Sequence, residues 1–433
     1  MTTRSEELFR RAVQVLPGGV SRNTLLRDPH PLYVDKASGC MTTDVEGVNR
    51  MDFANNMASL IHGHGHPAIV EAVTEQLARG TAFTMATEAE VVFAHHLCSR
   101  SPNFDKLRFV NSGTEAVMAG LKAARAFTDR PKIAKIEGTY HGAYDYAEVS
   151  QSPAPSRWGD ASNPTSVPLA VGTPDGVVAD VIVLPFNDPE AATAILDQHR
   201  GEIACVLVDP MPHRAGLIPA TPEFARALRE WTTQDGALLM FDEVITFRTE
   251  FGGMQSRLGV RPDLTSMGKM IGGGFPVGAI AGREEVMGVF APGGDGPRLP
   301  HSGTFSANPI TMTAGYTAMN LFDRDAVTRL NELGTYACNQ LQEAIKISGA
   351  PASVSGAGSM YRVHMKEELP RDYRSSFPTQ AEKKALKAFV NHMGDAGFLM
   401  IYSGAITLST PMGKTEIDRL AEAAVDALRK SME

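Results

Sequence analysis

Ala237-Leu238-Leu239-Met240-Phe241-Asp242-Glu243-Val244, followed by Leu264-Thr265-Ser266-Met267-Gly268-Lys269-Met270-Ile271-Gly272-Gly273-Gly274-Phe275-Pro276, is where the fold can be read. Each stretch opens with a short apolar run, the length and composition of a strand buried on both faces. A charged residue closely follows each run: Asp242 after the first, Lys269 after the second. Five further runs share this form: Leu107–Val110, Lys132–Ile136, Val181–Pro185, Ala204–Val208 and Val277–Ala281. Most of the seven are separated by segments long enough for a helix. The pattern predicts an α/β fold with a mostly parallel seven-stranded sheet and helices on both faces. In such sheets ligands bind beyond the strand ends, which is where the polar motifs of this chain fall.

With 433 residues, 43% of them hydrophobic, the chain can bury a large core and one or two smaller lobes. Residues 5–16 read as an amphipathic helix ended by Pro17-Gly18-Gly19, and Leu32–Val34 with Met41–Val45 as a hairpin with Glu46-Gly47 in the turn region. Ser152–Asp175, rich in Pro, Ser, Gly and Asn, reads as a long surface or active-site loop. Beyond residue 310 the chain turns helical, with strands at Gly358–Val363 and Ile406–Ser409 and a charged amphipathic helix over Lys414–Met432. The expected division is an N-terminal segment (1–60), a large domain (61–315) and a small α+β C-terminal domain (316–433) that the N-terminal segment joins. A net charge of −8 argues against a nucleic-acid binder. The absence of a long apolar stretch argues against a membrane span. The polar N-terminus lacks a signal region, and Cys40, Cys98, Cys205 and Cys338 match no zinc spacing, so a reduced, cytoplasmic location is expected.

Four features carry chemistry. Asn111-Ser112-Gly113-Thr114-Glu115-Ala116 follows a strand and opens a helix, so its hydroxyls and N–H groups sit where a phosphate dianion is favoured; a plain helix cap is the competing reading. Tyr140, in Glu137-Gly138-Thr139-Tyr140-His141-Gly142, is placed to stack on a flat ring. His141 beside it reads first as a hydrogen-bonding residue supporting such a site. Asp242 is an acid at the end of an apolar strand and needs a cationic partner to be kept there. Lys269 at the mouth of a glycine turn supplies an amine. A buried acid and a lysine at neighbouring strand ends suit pyridoxal 5′-phosphate (PLP): the lysine forms the Schiff base and later carries the proton, and the acid keeps the ring nitrogen protonated. The triple histidine of His62-Gly63-His64-Gly65-His66 lacks a local carboxylate or cysteine, and Pro67 starts a helix, so it reads as a loop entering a helix and no metal is expected. Arg22, on the loop Gly18–Asn23, offers a planar fork for a substrate carboxylate; His213, Arg214 and Arg248 are other basic residues near strand ends that could serve instead.

Together these motifs resemble the class III (fold type I) PLP-dependent aminotransferases, in particular the subgroup of glutamate-1-semialdehyde aminomutase and the β-phenylalanine aminotransferases. The resemblance spans nearly the whole chain. It implies that Ser112, Gly113 and Thr114 bind phosphate, that Tyr140, with His141 beside it, and Val244 lie against the cofactor ring, that Asp242 pairs with the ring nitrogen and that Lys269 is the catalytic lysine. It also implies a homodimer with shared sites, Thr304 reaching the phosphate of the neighbouring subunit.

The chain departs from those relatives around the substrate. Asn56-Met57-Ala58-Ser59-Leu60 lacks the tryptophan of the aminomutases, and Asp209-Pro210 stands where most relatives have Glu-Pro. Ser21-Arg22 matches a pair in the β-phenylalanine enzymes, but Tyr402-Ser403-Gly404-Ala405 replaces their second arginine. The expected activity is transfer of an amino group from a carboxylate-bearing amine, a β-amino acid or an unusual α-amino acid, to a keto acid. The alternatives are an aminomutase of the glutamate-1-semialdehyde kind and a non-catalytic protein of the same fold.

Overall fold

All seven apolar runs become strands of one sheet in the computed structural model, which describes residues 3–294 and 296–433. In chain order they are β1 (Lys106–Val110), β2 (Lys132–Ile136), β3 (Val181–Leu184), β4 (Ile203–Val208), β5 (Leu238–Asp242), β6 (Leu264–Gly268) and β7 (Gly278–Gly282). Their order across the sheet is β1-β7-β6-β5-β4-β2-β3. β7 alone runs antiparallel to its neighbours. The remaining pairs are parallel, so their carboxyl ends lie along one edge.

The two-residue period of a strand explains why these runs are apolar throughout. On β5, Leu239 and Phe241 pack among Phe224, Leu228 and Trp231 of the helix Pro222–Asp235. Leu238 and Met240 face the opposite way, among Val117, Leu121 and Ala124 of α1 (Gly113–Thr128). Both faces are therefore covered, and each fully buried Leu or Phe contributes roughly 1.5–3 kcal/mol.

Outside this sheet the sequence was less explicit. The C-terminal part forms a three-stranded antiparallel sheet of Ser353–Ala357, Met360–His364 and Ala405–Thr407. It also holds the helices Arg324–Ser348, Gln380–Asp395 and Lys414–Ser431. The N-terminal hairpin is Val34–Ser38 with Met41–Asp44. Its tight turn falls at Gly39-Cys40, whereas Glu46-Gly47 leads into a third strand, Asn49–Asp52. Phe398–Leu399 adds to that strand in parallel, so residues from both ends of the chain share one four-stranded sheet. Within Ser152–Asp175, the short ladder Gly159–Asp160 with Asn163–Pro164 gives the loop some regular structure. Among the described residues, no helix is long and apolar enough to cross a membrane.

Candidate active site

The carboxyl ends of β1, β2, β4, β5 and β6 converge on one cavity of about 380 Å³. It is lined by Ser112, Gly113, Thr114, Tyr140, His141, Asp242, Val244, Lys269 and Arg22, so nine of the ten expected site residues meet in one place. Thr304 does not line the cavity; it is exposed on the stretch before the helix Pro309–Leu321.

Asp242 ends β5 and is buried. Its Oδ2 lies 2.8 Å from His141 Nδ1, and its Oδ1 accepts from Ser266 Oγ at 3.0 Å and from Val244 N at 3.1 Å. Parallel pairing sets Asp242 beside Ser266 in register, which is how a serine inside an apolar strand reaches the acid. Ser266 was missed from the sequence; its trace there was a lone hydroxyl in the run next to the acid. Asp209, at the end of β4, is a second buried carboxyl on the cavity wall. Its Oδ1 accepts from Met211 N at 3.0 Å, and burial, with Asp242 nearby, pushes its pKa well above the usual carboxylate range.

Lys269 follows β6 with φ 50°, a left-handed conformation that a non-glycine residue adopts at some cost. Burial lowers its pKa, while Asp242 and Asp209 act in the opposite direction. Its amine makes no hydrogen bond to any described residue. The glycines after it answer a packing need: at Gly273 (φ 59°) a side chain would bring Cβ to 2.5 Å from the carbonyl of Ala314. The backbone of the helix Pro309–Leu321 is what approaches the glycine triplet closely.

At the start of α1, Ser112 Oγ accepts from Glu115 N at 3.1 Å, and Glu115 Oε2 in turn accepts from Asn111 N at 2.6 Å. The cap reading and the anion reading are compatible here. The hydroxyl is used as a cap, while the N–H groups of Gly113 and Thr114, in the first turn, have no acceptor within the helix. Tyr140 is 47% exposed, and Arg214 lies over its ring with Cζ 5.3 Å from the centroid. His141 is buried, with Nε2 2.9 Å from Thr139 Oγ1.

Glu243 is turned away from the cavity. It is fully buried and accepts from Met254 N, Gln255 N, Gln255 Nε2 and Thr246 Oγ1, a structural role. Arg248 is also structural: its buried guanidinium donates to Ser359 Oγ at 2.9 Å and to the carbonyls of Leu408 and Ala58. Of the three histidines, His62 and His66 meet edge-on with ring centroids 5.4 Å apart, His62 Nε2 lying 2.8 Å from the Ala318 carbonyl, while His64 Nε2 lies 2.8 Å from Asp52 Oδ2.

The donor set fits PLP. A free pair of N–H groups at the start of α1 suits a phosphate, a fixed carboxylate suits a ring N–H, and an unpaired amine faces the same space. The wall is also kept thin at the start of α1: at Gly142 a Cβ would come 2.3 Å from Thr114 Oγ1.

Comparison with known proteins agrees with this chemistry. The family model described as aminotransferase class-III matches residues 25–430. A glutamate-1-semialdehyde 2,1-aminomutase of Methanothermobacter thermautotrophicus is 39% identical over 371 residues, covering 86% of each chain. Among solved structures, an omega-transaminase from Sphaerobacter thermophilus superposes with a TM-score of 0.97 at 45% identity, covering 100% of this chain and 98% of the other. A β-phenylalanine aminotransferase from Variovorax paradoxus gives 0.86 at 35% identity, covering 98% and 93%.

Proposed function

The chain belongs to the class-III aminotransferase family of PLP-dependent enzymes, and from that premise we propose that it transfers an amino group from a carboxylate-bearing amine to a keto acid. A β-amino acid or an unusual α-amino acid is the proposed donor, and the two half-reactions use one cavity in turn. The observation that carries this reading is Arg22. Its side chain lines the same cavity as Lys269 and Asp242, and among the described residues its guanidinium is engaged only by Asn56 Oδ1, at 2.9 Å. That leaves donors free for a carboxylate.

When bound, PLP supplies an aldehyde that condenses with amines and a ring that accepts electrons from the adjacent carbon. The chain's residues provide the rest. Gly113 and Thr114 would hold the phosphate through backbone N–H groups. Tyr140 and Val244 would confine the ring between an aromatic and a branched apolar side chain. Asp242, held by His141 and Ser266, would present a carboxylate to the ring N–H. Lys269 Nζ would take the proton from the substrate carbon, a task made easier because burial already favours its neutral form. Met57, Leu217, Ile245 and Ile401 give the cavity an apolar side for the donor's substituent.

The proposed assembly is a homodimer with shared sites. Thr304 is exposed away from its own cavity, and Phe83, Met85 and Phe305 are exposed apolar side chains suited to a partner. The name of the 39% identical relative favours a second reading, an aminomutase. Screening amine donors by the change in the cofactor's visible band tests the choice. A shift with carboxylated amines, reversed by a keto acid, supports the transaminase. Turnover of a single aminoaldehyde with no keto acid overturns it.

A further inference from the structure

Four arginines lie in or close behind the cavity wall, and their commitments differ. Arg248 is spent on Ser359 Oγ and backbone carbonyls. Arg362 is spent on the carbonyls of Ser403, at 3.1 Å, and His213, at 2.9 Å. Arg22 is held by Asn56. Arg214 lines the cavity, is half-buried, and makes no hydrogen bond or ion pair with any described residue. Its guanidinium lies over the face of Tyr140, with Cζ 5.3 Å from the ring centroid.

The turn that carries Arg214 is held from several sides. Met211 N donates to Asp209 Oδ1 at 3.0 Å and Leu217 N to the Pro212 carbonyl at 2.9 Å. Arg362 holds the His213 carbonyl, and His213 Nε2 lies 2.9 Å from Ser403 Oγ. Ser355 Oγ donates to the Gly216 carbonyl. The backbone is therefore fixed while the head group has no hydrogen-bond or ion-pair partner among the described residues. A half-buried guanidinium so placed is prepared for an anion, and its planar fork matches a carboxylate.

We propose that Arg214 is a specificity-determining residue that binds a substrate carboxylate, as a second cationic anchor besides Arg22. The proposal rests on the aminotransferase reading above. The substrate class it defines is an acid whose carboxylate reaches the stretch of wall formed by His213, Arg214 and Leu217, with an apolar substituent along Leu217 and Ile401.

The test compares the holoenzyme with Arg214→Ala and Arg214→Gln. Calorimetry measures binding of hydrocinnamate, an acid with no amine to react. Steady-state kinetics compare β-phenylalanine with α-methylbenzylamine, which lacks the carboxylate. Both variants should bind hydrocinnamate about tenfold more weakly or worse, the scale of one charge-assisted hydrogen bond. KM for β-phenylalanine should rise with kcat little changed, and α-methylbenzylamine should be unaffected. Undiminished hydrocinnamate affinity in a variant that holds cofactor as the wild type does would overturn the proposal. So would no measurable hydrocinnamate binding by the wild type, or equal losses on the two amines. If the wild type binds hydrocinnamate yet transaminates neither amine, the aminotransferase reading is what fails, and the calorimetric comparison still decides the role of Arg214. If Arg214→Ala does not fold, Arg214→Gln carries both measurements.

Discussion

His141 Nδ1 lies 2.8 Å from Asp242 Oδ2, with both side chains almost wholly out of solvent. Burial holds the imidazole pKa below its ordinary value, against the pull of Asp242 in the other direction. A neutral ring that donates Nδ1–H to the carboxylate has Nε2 as an acceptor, 2.9 Å from Thr139 Oγ1, and the single Thr139 hydroxyl proton is divided between that nitrogen and the Ile136 carbonyl at 2.7 Å. The acid is thus aimed by a residue that itself has a fixed orientation. His141→Ala removes a donor from a buried carboxylate and should lower kcat about tenfold to a hundredfold, with His141→Gln recovering part. Unchanged kcat and unchanged PLP affinity in His141→Ala would mean that Ser266 and Val244 suffice to hold Asp242.

Lys269→Ala should abolish turnover and the visible absorbance of covalently held PLP while leaving the fold intact, as judged by circular dichroism. Asp242→Asn should retain the cofactor but slow proton removal from the substrate carbon. This would be read as a larger isotope effect with α-deuterated donor. A variant without Lys269 that still turned over would show another base at work.

Arg22→Ala should raise KM for carboxylated donors and spare plain amines. An equal effect on both would assign Arg22 to structure, through its bond to Asn56, which itself sits at φ 47°.

Arg374 clasps Glu137 with two bonds, Nε to Oε2 at 2.8 Å and Nη2 to Oε1 at 3.0 Å, and also donates to the carbonyls of Trp158, Gly159 and Asp160. It joins the end of β2, the loop after residue 152 and the C-terminal part. Glu137 is 4% exposed, so Arg374→Met leaves a buried carboxylate unpaired, which costs about 3–5 kcal/mol. Urea denaturation should show that loss, and adding Glu137→Gln should restore part of it. Additive losses in the double variant would contradict the pairing.

Burial lowers the pKa of His62 to about 4 and that of His364 to about 3. Both values lie below the unfolded reference of about 6.5, so the unfolded chain binds the extra protons. Their contribution to stability is present above about pH 6.5 and is lost as pH falls toward 4 and then 3. The denaturation midpoint should fall across that window, and His364→Gln should flatten the slope. An identical slope in the variant would exclude His364 as a source.

The sheet and the placing of Asp242 and Lys269 on one cavity were legible because both are written locally. A parallel strand buried on two faces must be apolar along its length, and Asp242 and Lys269 stand out at the ends of such runs. Asn49–Asp52 escaped notice because Asn-Arg-Met-Asp carries no apolar pattern; it is a strand because Met41–Asp44 and Phe398–Leu399 flank it. Ser353–Ala357 is similarly small and polar and is made a strand by pairing with Met360–His364. Arg248 and Arg214 looked alike in the sequence. Only the fold shows that Ser359 and backbone carbonyls occupy the first and that no described residue makes a hydrogen bond or ion pair with the second.

The pairing of Phe398–Leu399 with Asn49–Asp52 bears on how the protein is made. Asn55 Nδ2 donates to the Thr407 carbonyl at 2.7 Å, and Thr407 N to that of Phe53 at 2.7 Å, so the wall carrying Met57 and Ala58 rests on residues near the C-terminus. Emerging from the ribosome, the chain can assemble the sheet that bears Asp242 and Lys269 well before that wall exists. A chain stalled ahead of Phe398 would hold Asp242 and Lys269 in an open trough, with Arg22 on an unanchored arm. Completion of the chamber waits for translation to pass Thr407.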